Sequence, residues 1–255
     1  MKTWLLVGLC LVGVHRGAMA QEREPDVVYL SGVSVSSNAV SGGGGEVQWM
    51  HALSPRSSVI VGGTSTSLGG AWWTYGTVEA LTRRRDVFYG GRVSLGSGRH
   101  TTGGFAYAHA VGTVTAPIAR DVHVEVQGQY ARAANAATTV LMLGASYSGI
   151  RNTRLRLGYY TVFSDVVDAH HLSGQGEVTI GRVTMLGGLM ATARATADVA
   201  PDLVDLMIHA TPAYFAGASI PVRRAQVLWA AEVLPQTPGH LVRLTMTLKL
   251  PLGPR

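Results

Sequence analysis

Glu46, Glu79, Glu125, Glu177 and Glu232 stand singly at the polar positions of alternating stretches, as do Arg92, Arg154, Arg156, Arg243 and Lys249. The two signs nearly balance, so the set can do one of two things. It can pair internally as a ladder of ion pairs, or it can face water and set which solutes enter a polar space. Gln127, beside Glu125, adds a neutral donor and acceptor. Other clusters carry less. Asp165, Asp168, His170 and His171 share one short stretch, and two carboxylates with two imidazoles can hold a divalent ion. A hydrated loop of the same residues needs no metal, and none is expected. Asp198, Asp202 and Asp205 lack the dense Asp/Asn/Gly spacing of a calcium loop. The histidines come with no Gly-x-Ser-x-Gly elbow, and Ser173, two residues after His171, is the nearest approach to a nucleophile and base. No catalytic residue and no cofactor is expected.

The elements that must position these residues are strands. In Asp121-Val-His-Val-Glu-Val-Gln-Gly-Gln-Tyr130, Val122, Val124, Val126, Gly128 and Tyr130 fall on one face, and His123, Glu125, Gln127 and Gln129 on the other. A helix would mix the two sets; a strand of period two separates them. The pattern repeats down the chain behind a segment that reads as a secretory signal peptide, residues 1–20. Lys2 supplies its positive start, Trp4 to Val14 its apolar core, and Ala18-Met19-Ala20 its cleavage site. Cys10, the only cysteine, lies within it, so disulfides and thiolate metal sites are excluded from residues 21–255. Removing Lys2 and Arg16 lowers the formal charge from +6 to +4. That spread-out surplus forms no basic stripe with stacking aromatics, which argues against nucleic acid as a partner.

Strands are expected at about 26–36, 45–53, 57–67, 71–81, 86–96, 103–115, 121–132, 138–148, 153–163, 170–180, 183–195, 205–218, 225–234 and 240–250. This predicts an all-β, single-domain, transmembrane antiparallel up-and-down barrel of about fourteen strands over residues 21–255, or twelve if 200–222 is misread. Two alternatives compete with it. Membrane helices are disfavoured because the long uncharged runs are rich in Gly, Ser and Thr or interrupted by Pro212 and Pro221. A soluble β-sandwich would not need aromatic bands near both ends of its strands. Connections divide into a short basic set, such as Thr82-Arg-Arg-Arg-Asp86 and Gly181-Arg182, expected on the periplasmic side, and a second set expected outside. On this register Glu46, Arg92, Glu125, Gln127, Arg154, Arg156, Glu177, Glu232, Arg243 and Lys249 line the interior, while Val47, Trp49, Tyr89, Leu95, Leu157 and Trp229 face lipid.

Residues 21–255 as a whole resemble a Gram-negative outer-membrane β-barrel protein. Glu46-Val-Gln-Trp49, Thr82-Arg-Arg-Arg-Asp86 and Leu143-Gly-Ala-Ser-Tyr147 carry a similarity to the YaiO-type barrels. That resemblance implies a place in the cell envelope, with surface-polymer export components, outer-membrane lipid and the barrel-assembly machinery as partners. The residues themselves point to a porin-like passive conduit. A lipid- or polymer-modifying enzyme at the barrel rim and a structural barrel without an open pore are the other readings. Short outer loops argue against a receptor or adhesin.

Overall fold

The computed structural model describes residues 26–37, 41–100, 103–133, 136–164, 167–197, 213–235 and 240–252. They form β1 (Val27–Ser36), β2 (Ser41–Ser54), β3 (Ser57–Leu68), β4 (Ala71–Arg84), β5 (Val87–His100), β6 (Gly103–Ala119) and β7 (Val122–Ala133). The second half contributes β8 (Ala136–Tyr147), β9 (Thr153–Ser164), β10 (Val167–Ile180), β11 (Val183–Ala197), β12 (Ala213–Val222), β13 (Ala225–Pro235) and β14 (His240–Pro251). Each strand pairs antiparallel with its neighbours in sequence, and β1 pairs with β14 to close the barrel. Closure rules out the sandwich and the twelve-strand count, and the described residues contain no helix. The expected signal peptide lies outside the described residues.

Closure is reinforced at the end where the chain enters and leaves. Asp26 accepts a 2.6 Å hydrogen bond on its carbonyl from Leu252 N, and its carboxylate meets His51 Nδ1 on β2 at 2.8 Å. Inside that end, Val27, Tyr29, Met50 and Ile60 pack together with Leu81 beside them. Tight reversals at the same end use left-handed backbone at Arg85 (φ 56°), Asn152 (φ 57°) and Arg223 (φ 55°). At the far end Gly69 and Gly70, with φ of 57° and 81°, make the two-residue turn that joins β3 to β4.

Several strands run longer than expected. β5 continues through Ser97 to His100, β6 to Ala119, and β2 begins at Ser41 within the glycine run. β10 is described from Val167, so Asp168 also lies on a strand, together with His170 and His171. The reason is physical: side-chain alternation reports only the lipid-facing band, whereas the hydrogen-bonded ladder extends past it. β12 is described from Ala213 and runs past the expected end at 218 to keep Pro221 and Val222, so its turn is Arg223-Arg224; residues 205–212 of the expected strand lie outside the described residues.

Faces alternate as barrel geometry requires. Leu157 is 69% exposed and Leu95 62%, with Leu141, Leu143 and Leu155 also outward. Such a belt would be unstable against water and is what hydrocarbon needs. Outward aromatics fall near both strand ends: Tyr89, Tyr147 and Trp229 toward the terminal end, and Trp72, Tyr130, Phe163 and Tyr214 toward the far end. On β1 to β3 the far half of the outer face departs from this pattern, carrying Gly32, Ser34, Gly43, Gly45, Ser65 and Ser67. Its hydroxyls find local partners: Ser67 Oγ donates to the Gly43 carbonyl at 3.2 Å, and Thr74 Oγ1 to Ser65 Oγ at 3.3 Å.

A Cβ added at Gly96 would overlap the Thr74 carbonyl oxygen and come within 2.6 Å of Tyr75 Cα, whereas one at Gly112 would meet nothing within 4 Å. Gly96→Val is therefore expected to abolish the heat-modifiable folded band on mild-detergent gels, and Gly112→Ala to leave it intact. Equal folding of both variants would contradict the register.

Candidate functional site

The candidate site is the inner face of the barrel. All ten expected interior residues fall on it, because each occupies the alternation opposite the outward leucines, valines and aromatics. What the structure adds is how their charges are disposed. Arg92 on β5 meets Glu79 on β4 at 2.7 Å, its direct cross-strand partner. Arg243 on β14 meets Glu232 on β13 at 2.6 Å, again cross-strand partners. Arg156 on β9 reaches across β8 to Glu125 on β7 at 2.8 Å, its guanidinium also lying 3.4 Å from Met142 Sδ on β8. Gln48 donates to Glu46 along β2. Arg154 stands opposite Glu177 in the ladder and Gln175 opposite Arg156. Lys249 lies 6.0 Å from the ring centre of Tyr29.

These pairs differ in burial, which decides what each is worth. Arg92 is 37% exposed, so its pair contributes about 0–1 kcal/mol. Arg156 and Glu125 are 9% and 6% exposed, in the regime where removing one partner is costly because the other charge remains desolvated. Gln127, next to Glu125 on the same face, is also buried, along with Thr77 and Ser94, whose hydroxyls share a 2.9 Å hydrogen bond.

Sequence reasoning overlooked a set of inward aromatics at the far half of β4 to β6. Trp73, Tyr75, Phe105, Tyr107 and His109 all face in, and Gly96 and Gly98 of β5 lie between them. Tyr107 is sandwiched: its ring centre is 5.0 Å from Tyr75 and 6.4 Å from His109. The signal was present in Ala106-Tyr107-Ala108-His109-Ala110, where the large residues occupy the face opposite to lipid.

The other candidates disperse. His170 faces outward, stacked on Tyr159 with ring centres 5.8 Å apart and a 2.8 Å hydrogen bond between Tyr159 Oη and His170 Nδ1. His171 faces inward on the next position of β10, so the two imidazoles cannot share one ion. Among the described residues, no three His, Cys, Asp or Glu side chains come together as a metal site. Ser173 shares the inner face with His171, but its hydroxyl points to the Gly158 carbonyl at 3.5 Å. Asp165, Asp198, Asp202 and Asp205 lie outside the described residues.

A closed antiparallel barrel of fourteen strands with an apolar exterior and a polar, paired interior has the fold of outer-membrane β-barrel proteins. The chain is similar in fold to the Ralstonia pickettii toluene transporter TbuX, with a TM-score of 0.62 at 10% identity, covering 92% of this chain and 91% of that one. It is also similar to a bacterial polysaccharide outer membrane secretin, with a TM-score of 0.58 at 7% identity over 91% and 100% of the two chains. The KdgM porin in complex with disordered oligogalacturonate gives 0.51 at 8% identity over 89% and 99%. No family model matches the chain, and no curated protein matches it either.

Arg156→Met should destabilise the folded barrel by about 3–5 kcal/mol, as expected when a buried pair loses one partner. Glu125→Met together with Arg156→Met should recover most of that loss, read as the urea midpoint of the heat-modifiable form. A single variant as stable as the parent would show that the pair is hydrated.

Proposed function

We propose that this chain is a passive conduit of the bacterial outer membrane, in which solutes diffuse through a polar lumen lined by Glu46, Arg92, Glu125, Gln127, Arg154, Arg156, Glu177, Glu232, Arg243 and Lys249. One observation carries the reading. The ion pairs Arg92 with Glu79, Arg156 with Glu125, and Arg243 with Glu232 join strands one or two apart, so they lie along the wall and do not span the bore. A barrel that used its charges as a plug would cross-link opposite walls. Eight strands leave an interior that side chains fill, and sixteen or more leave an aqueous channel, so fourteen leave room for a passage.

The fold neighbours support the same reading, since the toluene transporter, the polysaccharide secretin and the porin are named for passage. An accessory role in envelope or surface-polymer export rests on the YaiO resemblance of Glu46-Val-Gln-Trp49 and its companion stretches. It would bring outer-membrane lipid, the assembly machinery and export components as partners.

Purified, folded protein in a planar bilayer should give discrete open steps of stable size. Arg154→Glu should shift the reversal potential in a salt gradient toward cations without closing the channel. Folded protein that inserts but stays silent would contradict a conduit and favour a structural barrel.

A further inference from the structure

We infer that the conduit recognises uncharged, hydroxyl-rich solutes, and that the recognition surface is the inner face of β4 to β6 in the far half of the barrel, with Tyr75 and His109 as its contact groups. This rests on the conduit reading and names its substrate class. Three successive inward rows build the surface. Tyr75, Gly96 and Tyr107 are partners across the three strands; below them come Thr77, Ser94 and His109; below those come Glu79, Arg92 and Val111. Rows two residues apart are separated by about 7 Å along a strand. The set therefore presents the Tyr75 ring, the His109 imidazole beside the buried Thr77–Ser94 hydroxyl pair, and a charged step over a length comparable to a few sugar rings.

The layering is preorganised. Tyr107 is only 2% exposed, held between Tyr75 and His109, and Trp73 in the row above is 5% exposed. Tyr75 and His109 are only partly buried, so they present edges and faces to the lumen while the buried rings fix their positions. Gly96 leaves the wall flat between the rings, because any side chain there would strike the β4 backbone.

Chemistry selects the solute. A sugar ring offers a C–H face that packs on an aromatic and equatorial hydroxyls that hydrogen-bond at its edge. The nearby charged groups suit such hydroxyls: Arg92, 37% exposed, pairs with Glu79, and Glu46 lies on β2, two strands from Tyr75 across the ladder through Thr64. Charge argues against a polyanion, since this surface has two carboxylates, Glu46 and Glu79, against the one guanidinium of Arg92. An apolar solute is disfavoured as well, because it would have to strip water from that same partly exposed pair without replacing any hydrogen bond.

The test is single-channel block. Maltotriose and cellotriose, as neutral linear probes of either linkage, are compared with trigalacturonate and with toluene on the folded protein at equal concentration. The inference predicts that at least one neutral trisaccharide blocks ten-fold or more below the concentration needed for trigalacturonate, and that toluene does not block. Tyr75→Ala, checked for the heat-modifiable form, should weaken the block at least five-fold, and His109→Ala gives a second reading should Tyr75→Ala fail to fold. Open channels blocked as well by trigalacturonate or toluene, or blocked by none of the probes, would overturn this inference and leave the conduit standing. Channels that never open would overturn both.

Discussion

In hydrocarbon, a backbone N–H or C=O without a hydrogen-bond partner costs several kcal/mol, and no water is present to supply one. The rest of this structure depends on that constraint. A sheet of strands can meet it only by closing, and β1 meets β14 over ten paired residues from Val27 opposite Pro251 to Ser36 opposite Val242. Asp26 sits where that seam begins and binds both flanking strands, through its carboxylate to His51 and through its carbonyl to Leu252. With no free edge at the seam, the barrel presents lipid with side chains instead of backbone.

Once the ladder fixes the wall, each strand must divide its residues between two solvents. Charges on the inner face then have to be accommodated on a cylinder of limited width, and they are accommodated laterally. Arg156 reaches across β8 to Glu125, and Gly96 lets Tyr75 and Tyr107 approach each other across β5. The charged side chains of the Arg92–Glu79, Arg156–Glu125 and Arg243–Glu232 pairs therefore lie along the wall instead of pointing at the axis.

Much of this was legible in the sequence because the physics of a membrane barrel is written at period two. The alternation of Val122 to Tyr130 gave both the fold and the inward placement of Glu125 and Gln127, and a chain of fourteen such segments could be counted. Three things were not legible. Pairing between Arg156 and Glu125 skips a strand, so neither residue's ladder partner reveals it. The opposite orientations of His170 and His171 followed from period two once both were placed on the strand, but the outward stacking of His170 on Tyr159 needed the β9–β10 register. The aromatic surface of Tyr75, Tyr107 and His109 was hidden because aromatics in a barrel are first assigned to the lipid interface, and only the register reveals that these face in.

The central claim is that alternate residues of one strand face lipid and a wet lumen. Since Cys10 falls in the expected signal peptide, single cysteines can be placed along β7 from His123 to Tyr130 in an otherwise thiol-free mature chain. A charged, water-soluble thiol reagent applied to the protein in lipid vesicles should label positions 123 and 129, whose native side chains are partly exposed on the inner face, and spare 124, 126, 128 and 130. Labelling of every position alike, or of the even set alone, would contradict the account.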